Sequence, residues 1–245
     1  MFMKMCIVIA LMLLGSVNVG YGQDQGKDES LDAALREFQQ AVEKKPNYAE
    51  AYYNLGIVYS EKGMVEDAVS AYKKTLEIEP NFVKALNNLG VVYYEAGRLD
   101  EAIESLKKAI ASSPQYIEAY YNLGIVYHGK KQYPDAVMAF KKTVELNPKF
   151  DKGYYNLGVT YASMDSLDES LAAFKRTVEI NPQYSEAYYN MGVAYAKKDQ
   201  FDEAIKSLQK AIELNPDEGK SHFALGVIYQ AKRKAKASDG KSEKP

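Results

Sequence analysis

From Ser30 onward, apolar residues recur at helical spacing, interrupted by short polar or glycine-bearing stretches. The decapeptide EAYYNLGIVY, at Glu50–Tyr59 and again at Glu118–Tyr127, shows the pattern. At about 100° per residue, Tyr52, Leu55, Gly56 and Tyr59 fall on one side of a helix, and Tyr53, Asn54 and Ile57 fall on the other. Stretches such as GRLDEAI, DSLDESL and DQFDEAI then mark a turn and the start of a second helix. Within them, Gly63 and Gly97 take a left-handed turn conformation freely. Asp165 and Asp199 tolerate it, and Lys131 fits it least well. Asp100, Asp168 and Asp202 are expected to face the positive N-terminus of the second helix. Pro134 falls in that same first turn, where no intrahelical N–H is lost.

The prolines set the period. Pro46, Pro80, Pro114, Pro148, Pro182 and Pro216 are each 34 residues apart, and the duplicated decapeptide sits at twice that distance. Such self-similarity predicts a stacked repeat array. With each unit numbered so that this proline is position 32, position 8 is Gly56, Gly90, Gly124, Gly158, Gly192 and Gly226, and position 11 is tyrosine in all six. Position 20 is alanine except for Ser170, and position 24 is Tyr72, Leu106, Phe140, Phe174 and Leu208. A glycine inside a helix costs about 1 kcal/mol against alanine, so position 8 implies close approach of another helix.

This pattern, aromatic-x-x-Leu-Gly-x-x-Tyr followed by Ala, a large apolar residue and Pro, resembles the tetratricopeptide repeat over roughly Ser30 to Lys234. The resemblance implies an all-α fold: a right-handed α-solenoid of paired antiparallel helices with a concave groove. Five full repeats are expected at 49–82, 83–116, 117–150, 151–184 and 185–218. A half-repeat at 30–48 supplies a second helix only. Residues 219–234 supply a first helix only, which caps the stack. Residues 23–29 read as a polar linker, and 235–245 as a disordered basic tail.

The groove face of the resembled family corresponds here to positions 2, 5, 6, 9, 12 and 13. Position 6 is Asn54, Asn88, Asn122, Asn156 and Asn190, and position 5 is Tyr53, Asn87, Tyr121, Tyr155, Tyr189 and Phe223. Lys84 and Lys152 alternate with glutamates at position 2. An amide carries both donor and acceptor, so an asparagine ladder suits a peptide backbone of any sequence. Tyrosine adds flat apolar area with a polar tip. These residues form the candidate peptide-binding groove. A second reading stands beside it, in which the asparagines bond their neighbours and the position-9 aliphatics pack between repeats. The Lys/Glu alternation reads as charge balance between adjacent helices.

Charge and composition remove other functions. The tail 232–245 has six basic residues against two acidic ones and Lys4 adds one more, leaving −7 on the body of a chain whose net charge is −2. An acidic body argues against nucleic acid as a partner. His128 and His222 are too few and too far apart for a metal site. There is no phosphate loop or nucleophile motif, so an enzyme, a cofactor and a small-molecule substrate are not expected. The lysine clamp by which related chaperone adaptors hold a C-terminal carboxylate lacks its position-5 lysine, position-9 asparagine and position-6 arginine.

The N-terminus reads as a targeting segment. MFMK is followed by the short apolar run MCIVIALMLLG and by small residues at Gly20 and Gly22. This predicts a secretory signal over 1–22, cut after Gly22, or else an uncleaved membrane anchor. Cys6, the one cysteine, lies inside it and lacks a lipoprotein context. The functional expectation is an exported, non-enzymatic scaffold for a protein or peptide ligand, an adaptor or assembly factor. The alternatives are a homo-oligomer pairing through the half-repeat (Leu35, Phe38, Ala41, Val42) and an accessory subunit of a secretion or polysaccharide machine.

Overall fold

The computed structural model describes residues 23–242, with side chains from 28 to 234. The expected signal at 1–22 lies outside the described residues. Twelve helices and no strand occur among the described residues. The first, α1 (Gln23–Lys44), stands alone. Five helix pairs follow, a first helix of 13 residues and a second of 14 in each: α2 (Ala49–Glu61) with α3 (Val65–Ile78), α4 (Val83–Glu95) with α5 (Leu99–Ser112), α6 (Ile117–Gly129) with α7 (Tyr133–Leu146), α8 (Asp151–Ser163) with α9 (Leu167–Ile180), and α10 (Ser185–Lys197) with α11 (Phe201–Leu214). The last, α12 (Gly219–Ser242), is again alone. Each helix packs on its sequence neighbours, and each first helix also touches the first helices beside it, as an α-solenoid requires.

The turn between the helices of a pair depends on one backbone conformation. Gly63, Gly97, Lys131, Asp165 and Asp199 all occupy position 15, with φ of 70°, 74°, 60°, 57° and 57°. The left-handed turn is therefore kept even where the residue disfavours it.

Position 8 explains why the pairs close. A Cβ built on Gly56 would lie 2.5 Å from the Tyr72 ring, on Gly124 2.6 Å from Phe140, and on Gly158 2.7 Å from Phe174. The leucines Leu106 and Leu208 press on Gly90 and Gly192 in the same way, at 2.6 Å. These position-24 side chains are at most 1% exposed. The position-20 residues Ala68, Ala102, Ala136, Ser170 and Ala204 are all fully buried beside them, and Ser170 Oγ donates to the Gly158 carbonyl at 2.9 Å.

Adjacent repeats are also tied by charge. Lys62 pairs with Asp32 at 2.9 Å, and the equivalent pairs Lys130–Asp100, Lys198–Asp168 and Lys232–Asp202 recur up the stack. The acidic residues expected at the helix N-termini thus also bind the following repeat. Where position 14 is Met164, the preceding repeat carries Pro134 in place of the aspartate.

Two end segments differ from expectation. Residues 23–29 are not a linker, because α1 starts at Gln23 and runs without a break into the half-repeat. Residues 235–242 are not irregular, because α12 continues through Ser242. Ala231–Ala237 is built of Ala, Lys and Arg, among the best helix formers, and no left-handed turn residue interrupts it.

Candidate functional site

The seam between successive first helices is built from position 5 of one repeat and position 6 of the next. The Asn156 amide donates to the Tyr121 hydroxyl at 3.0 Å, Asn190 to Tyr155 at 3.1 Å, and Asn88 to Tyr53 at 3.4 Å. Repeat two carries Asn87 at position 5. There the Asn122 amide donates to the side-chain Oδ1 of Asn87 at 2.9 Å, and the Asn87 amide donates to Asn88 Oδ1 at 3.2 Å. The amide ladder is therefore a set of rungs between repeats. Each rung uses one amide N–H, and the oxygens of the half-buried Asn122, Asn156 and Asn190 accept no side-chain hydrogen bond among the described residues. Asn54 starts the ladder, because no first helix precedes α2 among the described residues.

The tyrosine rings are clamped as well. Tyr53 lies 6.0 Å from Tyr72 and 5.0 Å from Phe82 between ring centroids. Tyr121 holds the same relation to Phe140 and Phe150, at 6.0 and 5.1 Å, and Tyr155 to Phe174 and Tyr184, at 5.8 and 4.8 Å. Each full repeat with an aromatic at position 24 thus has an aromatic triad of positions 5, 24 and 34. Burial pushes the hydroxyls of Tyr53, Tyr121 and Tyr155 above the ordinary tyrosine range, and the asparagine donors offset part of the effect. Among the other predicted groove residues, Asn87 is buried, while Lys84 and Lys152 are exposed and form no ion pair among the described residues.

Two depressions lie along this face. The first, about 220 Å³, sits between α8 and α10, lined by Val159, Ala162, Ser163, Asn190, Val193 and Lys197, with Leu167 and Phe174 beneath. The position-9 aliphatics of successive repeats, Val159 and Val193, are its apolar walls. The second, about 500 Å³, follows between α10 and α12, lined by Tyr189, Val193, Ala196, Phe223 and Val227 among others. The ladder ends here, because position 6 of α12 is Ala224. Tyr189 has no amide rung and instead lies under the Lys220 ammonium, 4.8 Å from its centroid. Lys220 also pairs with Glu218 at 2.9 Å, so the last position-2 lysine is held in place.

His128 faces Ser163 across the next seam, Nε2 to Oγ 3.4 Å, and burial lowers its pKa. His222 bonds the Pro216 carbonyl at 2.8 Å. Neither belongs to a cluster able to hold a metal among the described residues. The sequence leaves neighbour bonding by the asparagines as a second reading without naming tyrosine as the partner, and it does not give the Lys–Asp ties. Their signal was present as a Tyr or Asp in one unit and an Asn or Lys at a fixed offset in the next.

The family described as "Tetratricopeptide repeat" matches residues 49–82, 117–150, 185–218 and, by a second variant, 71–104. That described as "TPR repeat" matches 27–63, 92–131 and 161–199. No curated protein matches the chain. Among solved structures, YrrB, described as "a TPR protein with an unusual peptide-binding site", is 30% identical, with a TM-score of 0.65, covering 76% of this chain and 96% of its own. A structure of MamA is 36% identical, with a TM-score of 0.64, covering 68% of this chain and 97% of its own. MamA from Desulfovibrio magneticus, at 24% identity and a TM-score of 0.65, shares the fold. The repeat geometry and this level of identity over nearly the whole of both relatives agree: the chain belongs to the tetratricopeptide-repeat family.

Proposed function

We propose that the chain is a non-enzymatic protein–protein interaction scaffold that holds an extended peptide or a partner helix along its first-helix face, as an adaptor or assembly factor of the cell envelope. The observation that carries this reading is the depression between α8 and α10. It offers apolar walls at Val159 and Val193, a free acceptor at the Asn190 amide oxygen and a cation at Lys197. An apolar ligand side chain fits between the valines while a ligand N–H meets the amide oxygen, the combination that peptide grooves use. The peptide-binding site named for YrrB supports the same class of ligand. The envelope location rests on the apolar N-terminal segment of the sequence.

The test is capture from a library of random peptides by the full chain, against Val159→Glu plus Val193→Glu and against the second-helix control Lys142→Ala. Circular dichroism first verifies that the double variant keeps its helices. Loss of captured peptides in the double variant alone is the expected result. Equal capture by all three overturns the groove reading.

A further inference from the structure

The described residues open and close on the two halves of one repeat. Among them, α12 is a first helix without its second, and α1 is a second helix without its first. We propose that α1 of one copy docks on α12 of another, completing a sixth repeat between chains and building an open head-to-tail array.

The position-8 to position-24 contact and the aromatic triad, which close repeats inside the chain, have their members split between these ends. Position 8 of α12 is Gly226, and a Cβ there would meet nothing within 4 Å, whereas the other five position-8 glycines are each pressed by a position-24 side chain. Position 24 of α1 is Phe38, only half-buried, whereas Tyr72, Phe140 and Phe174 are 1% exposed. The aromatic triad is split in the same way. Phe223, at position 5, is 76% exposed because no second helix of its own repeat clamps it. Tyr48, at position 34 behind α1, is 43% exposed for want of a position-5 ring. Joining the ends places Phe38 on Gly226 and puts Phe38 and Tyr48 around Phe223, the arrangement seen at Tyr121, Phe140 and Phe150. Ala34 and Ala41, half-exposed on α1, then enter positions that are fully buried in all five complete repeats.

Charge and chain path favour a second copy as the occupant. α1 carries six acidic and three basic residues, and α12 carries six basic and one acidic. A first helix packing on α1 within this chain would have to occupy residues 15–27 in register. Residues 23–27 are already part of α1, and no turn residue separates them from it. Both helices also run past the point where a repeat would turn, α1 back to Gln23 and α12 on to Ser242, so neither carries the tight turn of a complete repeat. The contact is heterologous, so it propagates rather than closing at two copies.

The experiment is sedimentation velocity of the full chain over a range of concentrations. The expected mass rises with concentration without a plateau. Gly226→Leu is the decisive variant. It meets open space in the free chain but blocks Phe38 at the joint, so it is expected to fold and sediment at the mass of one chain. Phe38→Glu spoils the other end with the same result. Mixing the two variants leaves one good end on each, and the expected product is a dimer that grows no further. Assembly of Gly226→Leu equal to that of the unmodified chain overturns the proposal, because association through residues 1–22 or through the groove would ignore that position. A mixture that stays at one-chain mass, or an unmodified chain at one-chain mass throughout, also overturns it. The Val159/Val193 variant keeps both ends, so failure of the groove reading is separate from failure of this one.

Discussion

The side-chain amide of Asn190 donates to the hydroxyl of Tyr155 at 3.1 Å, although the two lie 35 residues apart. The residues that line the proposed ligand face are thus also residues that join the repeats. Tyr155→Phe removes the acceptor and keeps the ring against Phe174 and Tyr184, and it is expected to cost about 1 kcal/mol, the net worth of one hydrogen bond. Tyr155→Ala also removes the ring and is expected to cost about 3 kcal/mol. Urea unfolding of the two variants checks this. A Tyr155→Phe midpoint equal to that of the unmodified chain would show that the rung carries no stability.

The position-8 glycines make opposite predictions at different points in the stack. Gly124→Ala gains about 1 kcal/mol of helix propensity but puts a methyl 2.6 Å from the Phe140 ring, and overpacking costs roughly 1–3 kcal/mol, so net destabilisation is expected. In the single chain, at a concentration too low for assembly, Gly226→Ala meets no neighbour and is expected to stabilise α12 by up to about 1 kcal/mol. Thermal unfolding of both variants decides the matter. Equal effects would mean that propensity, not the ring contact, sets the energy.

The period, the helix pairs, the turn conformations at position 15 and the role of position 8 were all legible in the sequence, because each depends on contacts inside one 34-residue unit. The seam was harder to read. Asn156 is one residue from Tyr155, yet it bonds Tyr121, a partner whose distance is set by how repeats stack rather than by helical periodicity. The sequence therefore leaves open whether the amides meet a ligand or bond their neighbours. The helical ends were hidden for a different reason. Residues 23–29 and 235–242 are polar, and polarity alone does not separate a solvated helix from a linker.

Lys131 offers a direct measure of strain. It holds φ at 60°, where Gly63 and Gly97 sit in other repeats, and a left-handed conformation costs a residue with a Cβ about 1 kcal/mol or more. Lys131→Gly is expected to raise stability by somewhat less than that, since glycine also gives the unfolded chain more freedom. The Lys131→Asn variant is expected to fall between the two. Hydrogen exchange of α6 and α7 amides reads the effect locally. Faster exchange in Lys131→Gly would mean that the lysine is not strained at this turn.

Tyr116 predicts how the fold fails in alkali. Burial pushes its hydroxyl up to about 12, while in the unfolded chain it titrates near the ordinary value of 10. The folded state therefore holds this proton more tightly, so its contribution is fully present below pH 10 and is lost as pH rises toward 12. Tyr53, Tyr121 and Tyr155 shift in the same direction by burial, and Lys62 does so through its hydrogen bonds to Asp28 and Asp32. The urea midpoint is expected to stay flat from pH 7 to about pH 9 and to fall from about pH 10. Tyr116→Phe removes one titrating group and is expected to make that fall shallower, with little change at pH 7. Tyrosinate absorbance followed alongside unfolding ties the fall to phenol ionisation. A Tyr116→Phe profile parallel to that of the unmodified chain would assign the loss to the other buried tyrosines and the lysines.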